Sequence, residues 1–266
     1  MKRVLLFLMI TGLATMVAFG QRKETRSASD FTGINASSVF NIIVSKGNTE
    51  SLTIEADDNV MQYVRSEVKN GVLYLYIDNS KQFRNIKILK ASIVMKNLDK
   101  VTLSGACKLT ANDLFTPEKF KIDCSGASSM DVNLNTDILN IEASGASKIQ
   151  IKAKVAGDTN LSISGASKIQ GELKTANLEL SSSGVCSVEL SGSAINFKIN
   201  MSGVSKIMTE DFIVRTANVK LSGSSKITVN ATVTLKVNAS GASSVSYKGS
   251  PALELNKSQA VKIRNI

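Results

Sequence analysis

A four-residue corner, repeated at nearly constant spacing, limits this chain to very few folds. It reads Ser104-Gly105-Ala106-Cys107, Ser125-Gly126-Ala127-Ser128, Ser144-Gly145-Ala146-Ser147 and Ser164-Gly165-Ala166-Ser167. It continues as Ser183-Gly184-Val185-Cys186, Ser202-Gly203-Val204-Ser205, Ser222-Gly223-Ser224-Ser225 and Ser240-Gly241-Ala242-Ser243. Successive glycines stand 21, 19, 20, 19, 19, 20 and 18 residues apart. Repetition at this period is the mark of a solenoid or an array.

The flanks choose between helix and strand. Four and two residues before each glycine stand pairs such as Val101/Leu103, Ile141/Ala143, Ile199/Met201 and Val219/Leu221, and four after it Leu109, Ile149, Ile169, Ile207 or Ile227. Apolar residues two apart, bounded by Gly and Ser, signal strands with one buried face. About twenty residues at roughly 3.3 Å each make one circuit of two or three short strands. Such circuits stack in parallel at about 4.8 Å, each strand pairing with its equivalent in the next rung. The expected fold is all-β, a parallel β-helix, right-handed like parallel crossovers generally. At each corner the glycine supplies a positive φ, and the small residue after it is expected to pack inside the bend.

Both ends carry worn copies, as terminal repeats that cap a stack should. Ser258-Gln259-Ala260-Val261-Lys262 has Gln for the glycine, and Asn35-Ala36-Ser37-Ser38-Val39 aligns with Gly241-Ala242-Ser243-Ser244-Val245, with Asn35 in the glycine's place. Residues 39–44, 51–55 and 71–78 read as strands. Val60, Val64 and Val68 stand four apart, which predicts a short helix, N-capped by Asp57 or Asp58 and ended by Asn70-Gly71. This segment is expected to cover the first rung.

Residues 1–20 read as a signal peptide: Lys2 and Arg3, an apolar run over 4–17, then Ala18-Phe19-Gly20 at the cleavage point. The apolar run is short for a membrane span of about twenty residues. Its removal takes two positive charges and no negative ones, so the net charge falls from +10 to +8. Residues 21–30 are polar and read as a disordered leader. The mature chain is therefore expected outside the cytoplasm: periplasmic, on the cell surface or secreted. No second long apolar segment follows, so no membrane span is expected, and export argues against a nucleic-acid partner. Aromatic residues make up 5% and Trp is absent, which leaves the core to Val, Ile, Leu and Ala. The chain has no His, the commonest general base and metal ligand.

Phe31-Thr32-Gly33-Ile34-Asn35, Val39-Phe40-Asn41-Ile42, Glu55-Ala56-Asp57-Asp58-Asn59 and Asn70-Gly71-Val72-Leu73, followed by serial Ser-Gly-Ala-Ser corners, carry a resemblance. From Phe31 onward the chain resembles the auto-transporter adhesin, head GIN domain family of Bacteroidetes envelope proteins. The Gly-Ile-Asn motif of that name would be Gly33, Ile34 and Asn35. The resemblance implies a right-handed β-helix and, from the name, adhesion. An autotransporter also needs a C-terminal membrane barrel, whereas here the repeat runs to Ile266, so another component is expected to carry the chain outward.

Three residues after each glycine stand Lys108, Ser129, Lys148, Lys168, Ser187, Lys206, Lys226, Ser244 and Lys262. In an in-register stack they form one stripe, with neighbouring lysines about 5 Å apart repelling by roughly 0.8 kcal/mol in bulk water. The stripe reads either as a docking strip for an anionic glycan or phosphate-bearing lipopolysaccharide, or as a solvated face that deters sheet association; the second arrangement is the commoner.

Other candidates have blander readings. The serine columns recur in every rung without a His to activate them, as a ladder of hydroxyls bonding along the stack would. Asp57-Asp58 lacks the spacing of a calcium loop and the separated carboxyls of a hydrolase, so capping is expected there. Cys107 and Cys186 stand four rungs apart, roughly 19 Å, beyond the reach of a disulfide. Cys124 lies in an inward column, and no bond within the chain is expected. The run 81–90, with four positive charges around Phe83, Ile86 and Ile88, reads as a strand with one solvated face or as a binding edge.

The expected organisation is a signal peptide (1–20), a leader (21–30), an N-terminal cap with the first rung (31–97) and a repetitive solenoid (98–266). No catalytic residue, cofactor or metal is expected. The expected role is an adhesin-like binding module at the cell envelope whose partner is an anionic glycan, lipopolysaccharide or a surface protein. The alternatives are a self-associating structural protein and, further off, a carbohydrate-active enzyme.

Overall fold

The two-residue alternation becomes a stack of parallel ladders. In a computed structural model, which describes residues 20–78, 83 and 85–266, the chain forms about nine coils of about 19 residues, a β-solenoid. The signal peptide assigned to residues 1–20 lies, but for Gly20, outside the described residues. On the side before the corner, Lys119–Cys124 pairs with Ile138–Ala143, which pairs with Asp158–Ile163 and then Asn177–Ser182. On the side after it, Lys108–Phe115, Ser129–Thr136, Lys148–Val155 and Lys168–Lys174 stack in the same way. From Ser187 onward the two sides merge into the long strands Ser187–Met201, Lys206–Leu221 and Lys226–Ala239. Apolar side chains of both sides meet in one core, together with six fully buried phenylalanines: Phe31, Phe40, Phe115, Phe120, Phe197 and Phe212. The core is thus less aliphatic than the low aromatic content implies.

The corner glycine is required twice over. Gly145 has φ +70°, and a Cβ there would stand 2.5 Å from the Gly126 carbonyl oxygen and 2.9 Å from its nitrogen. The rungs come this close because Ala146 N–H donates to that same carbonyl at 2.7 Å, a bond repeated from rung to rung. The residue after the glycine does not pack inside the bend, as expected from its size. It lies at the exposed tip, with Val185 64% and Val204 57% exposed. The next residue turns inward instead: Ser128, Ser147 and Ser167 are buried, and their hydroxyls donate to the carbonyls of Ser125, Ser144 and Ser164, three residues back. These three hydroxyls close their own corner, whereas bonds along the stack come from outer serines, as from Ser125 Oγ to the Leu103 carbonyl at 3.3 Å, and from the inner serines of later rungs, as from Ser225 Oγ to the Gly203 carbonyl at 3.2 Å.

The worn corners fall partly elsewhere than expected. Ser38, at φ +79°, takes the glycine's place, because Ala106 N–H donates to its carbonyl at 2.7 Å. Asn35 sits in a strand opposite Thr102. At the other end Lys262 keeps its register opposite Ser244, but Gln259 is not among the described non-glycine residues with positive φ. That corner closes through Val261 N–H on the Ser258 carbonyl.

The N-terminal cap consists of β1 (Gln21–Arg26), β2 (Gly33–Ala36), β3 (Asn41–Lys46), β4 (Ser51–Asp57), α1 (Asp58–Met61), β5 (Val64–Lys69), β6 (Val72–Ile77) and β7 (Leu89–Met95). One side of the solenoid continues through β3 and β7, then turns antiparallel through β4 and β1. The other continues through β2 and β6 and ends on antiparallel β5. Residues 21–26 are therefore an edge strand and not a disordered leader. Their charges blunt the edge, and Arg26 ties the two sides together, donating from Nη1 to the Val64 carbonyl at 2.8 Å and from Nη2 to Glu24 Oε2 at 2.9 Å.

The helix expected across Val60, Val64 and Val68 stops after one turn. Val64 and Val68 belong to β5, and Asn70-Gly71, with φ +50° and +72°, is the hairpin turn into β6. A spacing of four fits both periods, and the Asn-Gly pair is the stronger signal. Asp57 occupies the N-cap position, yet its side chain makes no capping bond there. Its Oδ2 accepts from the backbone N–H of Lys87 at 2.8 Å and anchors the segment before β7. Among the described residues of the run 81–90, Leu89 and Lys90 are strand and 85–88 irregular; 81, 82 and 84 lie outside the described residues. Phe83 packs on Tyr63, ring centroids 5.2 Å apart.

Candidate functional site: the basic row

The register that stacks the corners also sets the lysines. Ser129 stands opposite Lys108 on one side and Lys148 on the other; Lys148 is opposite Lys168, and Lys168 opposite Ser187. Ser187 is opposite Lys206, Lys206 opposite Lys226, Lys226 opposite Ser244 and Ser244 opposite Lys262. The alignment column is thus a row on the outer surface, its lysines exposed or half-buried. The row extends beyond what the repeat alone reveals. Asn41 lies next to Lys108, and Lys90 next to Asn41. The sequence placed Lys90 in the basic run 81–90 and not in this row, because the cap has no Ser-Gly-Ala-Ser corner before it.

Two residues further along each rung runs a second outward column that moderates the first. It holds Asp131, Gln150, Gln170, Glu189, Met208, Thr228, Ser246 and Arg264, in register with one another. Glu189 lies 3.9 Å from Lys168 Nζ and accepts from the Gln170 amide at 2.8 Å. Asp131, with Lys108, Ser129 and Lys148, lines a hollow of about 540 Å³. Arg264 donates from Nε to Ser246 Oγ at 3.1 Å. On the side before the corner a groove of about 520 Å³ passes Ser162, Ser181, Asn200, Lys220 and Asn238, which the sequence reading did not single out.

Gly33, Ile34 and Asn35 form most of β2, between β6 and Lys100–Leu103. Ile34 is fully buried, and a Cβ on Gly33 would stand 3.0 Å from Val72 Cγ2. The motif joins the cap to the first rung and lies outside the basic row. Cys107, Cys124 and Cys186 are free and buried. Burial pushes the Cys107 thiol up to about 11 and the Cys124 thiol to about 12. Among the described residues no cluster of three or more His, Cys, Asp or Glu could hold a metal ion, and no helix is long and apolar enough to cross a membrane.

A continuous corner ladder, with a cap joined to its first rung through the Gly-Ile-Asn strand, defines the class of protein: a parallel β-solenoid with an N-terminal cap. The chain belongs to the family described as "Putative auto-transporter adhesin, head GIN domain", whose profile matches residues 30–157 and 152–251. Among solved structures it is similar to a "putative adhesin" from Parabacteroides merdae, at 20% identity and TM-score 0.68 over 92% of this chain and 96% of that one. A "putative lipid binding protein" from Parabacteroides distasonis gives 19% identity and TM-score 0.70 over 92% and 96%. A "putative adhesin" from Bacteroides fragilis gives 24% identity and TM-score 0.53 over 93% and 97%. At these identities the likeness is one of fold. No curated protein matches the chain.

Proposed function

We propose that this protein is an exported, non-catalytic binding module of the adhesin kind, working at the cell envelope, whose basic row docks an anionic glycan. One observation carries the reading: Lys108, Lys148, Lys168, Lys206, Lys226 and Lys262 fall on a single line across the solenoid. A rigid line of cations suits a linear polyanion, because few protein degrees of freedom are lost on binding. Phosphate-bearing lipopolysaccharide and acidic surface polysaccharide both offer that chemistry. Family membership supports a binding role.

Titration with sulfated dextran against unsulfated dextran tests it. The sulfated chain should bind, more weakly as salt rises, and Lys148→Ser with Lys168→Ser should weaken binding by about fivefold, about 1 kcal/mol. Equal binding of both dextrans, or no effect of the double variant, would sink the reading. A second reading, self-assembly, draws on the strand Ala252–Lys257, which among the described residues has a partner strand on one side only and leaves Leu253 and Leu255 half-exposed.

A further inference from the structure

The serines interrupting the basic row fall at regular intervals. Read along the stack the row is Lys108-Ser129-Lys148, Lys168-Ser187-Lys206, Lys226-Ser244-Lys262: one unit, three times. Each serine is short and has a lysine on the rung at either side. Two rungs separate those lysines, about 10 Å at the backbone, so their long stems can converge over the serine on one anion. The hollow of about 540 Å³ above Ser129, walled by Lys108 and Lys148, shows the space this leaves.

The neighbouring column makes the three units unequal. In the first, Asp131 stands two residues beyond Ser129 and lines the hollow. In the second, Glu189 stands two residues beyond Ser187, 3.9 Å from Lys168. An incoming anion meets a carboxylate at both. In the third, the corresponding residue is Ser246, and the rung beyond adds Arg264, whose Nε is fixed on Ser246 Oγ at 3.1 Å. Lys226 and Lys262 thus flank Ser244, and Arg264 is held beside them on the buried Ser246, with no side-chain carboxylate in either column of that unit. The next column outward holds Lys248, 3.9 Å from Glu210, so that carboxylate is already engaged. An oriented guanidinium beside two ammonium groups is the chemistry of a phosphate or sulfate site.

We infer that the row has one principal anion seat, formed by Lys226, Ser244, Lys262 and Arg264, which takes a single phosphate or sulfate group of the ligand. The first two units are weaker copies, held down by Asp131 and Glu189. The inference rests on the basic row as the binding surface and specifies where along it the ligand is anchored.

Sulfated dextran oligosaccharides and inorganic sulfate are the probes, with affinity from calorimetry and amide shifts from NMR. Arg264→Ser and Ser244→Glu should each weaken oligosaccharide binding about tenfold or more, whereas Lys108→Ser should change it less than threefold. Glu189→Gln and Asp131→Asn should strengthen it, because each removes a like charge from the ligand's path. Inorganic sulfate should shift the amides of 244–246 and 262–264 before any others. Equal losses from lysine removal in all three units would overturn the seat while leaving the row intact. A wild-type protein that ignores sulfated dextran would overturn both. Circular dichroism of each variant separates lost binding from lost folding.

Discussion

At Gly145 two independent demands coincide, a left-handed backbone and the absence of a Cβ against the rung below. Left-handed φ costs a non-glycine residue about 1–3 kcal/mol, and the clash with the Gly126 backbone adds to that, since neither group can swing aside. Gly145→Ala should therefore destabilise the solenoid by at least about 2 kcal/mol, read as a lower midpoint in guanidinium denaturation; an unchanged midpoint would contradict the stacked corner. The cysteines make the opposite point, that a column tolerates what fits its space. Cys107 occupies the place of the buried corner serines, so Cys107→Ser should fold, its hydroxyl donating to the Ser104 carbonyl as its neighbours do. Burial holds the Cys107 and Cys124 thiols near 11 and 12 against an ordinary 9.0. A thiol at about 11 carries about a hundredfold less thiolate at pH 8 than a free one, so disulfide reagents should label these two only after unfolding. The neutral thiols are favoured in the folded state. Their contribution is complete below pH 9 and falls away as pH rises toward 11 and 12. Cys107→Ser should make this alkaline loss shallower, as midpoints measured between pH 8 and 11 would reveal.

Strands that repeat were all legible from the sequence, and strands that occur once only in part: residues 39–44, 51–55 and 71–78 read as strands and coincide closely with β3, β4 and β6, whereas β1 read as a leader and β5 as helix. Each solenoid strand is stated eight times over with a glycine to fix its phase, so Ile149, Ile169 and Ile207 were placed inward without ambiguity. The cap offers a single statement of each element. Val60, Val64 and Val68 satisfy helical and extended spacing alike, and the Asn70-Gly71 hairpin decides between them only through its pairing with β6. Residues 21–26 carry the polar, charged composition of a disordered segment, which is also what an edge strand uses to stay unpaired on its outer side. Nothing local separates the two; the antiparallel register with β4 does. The basic row was readable for the same reason as the strands, because its residues sit at a fixed distance from the glycine. Lys90, read as part of the run 81–90, and Arg264 were not assigned to the row because one lies before the first corner and the other two residues outside the column.

Across the whole molecule the two ends are finished differently. The N-terminal end turns its ladders antiparallel, lays Val60 and Met61 over the core and closes with Arg26. Among the described residues, none covers the rung at the other end as the cap does here, although that rung keeps its core-facing sequence. Leu253 stands in register with Leu235 and Leu255 with Val237, yet both are over 40% exposed where their counterparts are buried. An uncovered strand of this kind is a template for pairing with another chain. The same strand carries its own deterrent. Lys257 lies in register with buried Ala239, so its stem starts on the core-facing side, and its Nζ donates to the Val261 carbonyl at 3.3 Å. An ammonium whose stem starts on the core-facing side of an edge rung must be desolvated before a second copy can continue the stack, and a single carbonyl partner offsets little of that cost. Lys257→Leu removes this barrier and extends the apolar line of Leu253 and Leu255. Sedimentation velocity should find the wild type monomeric at concentrations where the variant forms dimers or longer assemblies, whose growth added salt does not reverse. A monomeric variant would show that the leucines alone do not drive association. A wild type already assembled would show that Lys257 is no barrier and would favour the self-assembly reading.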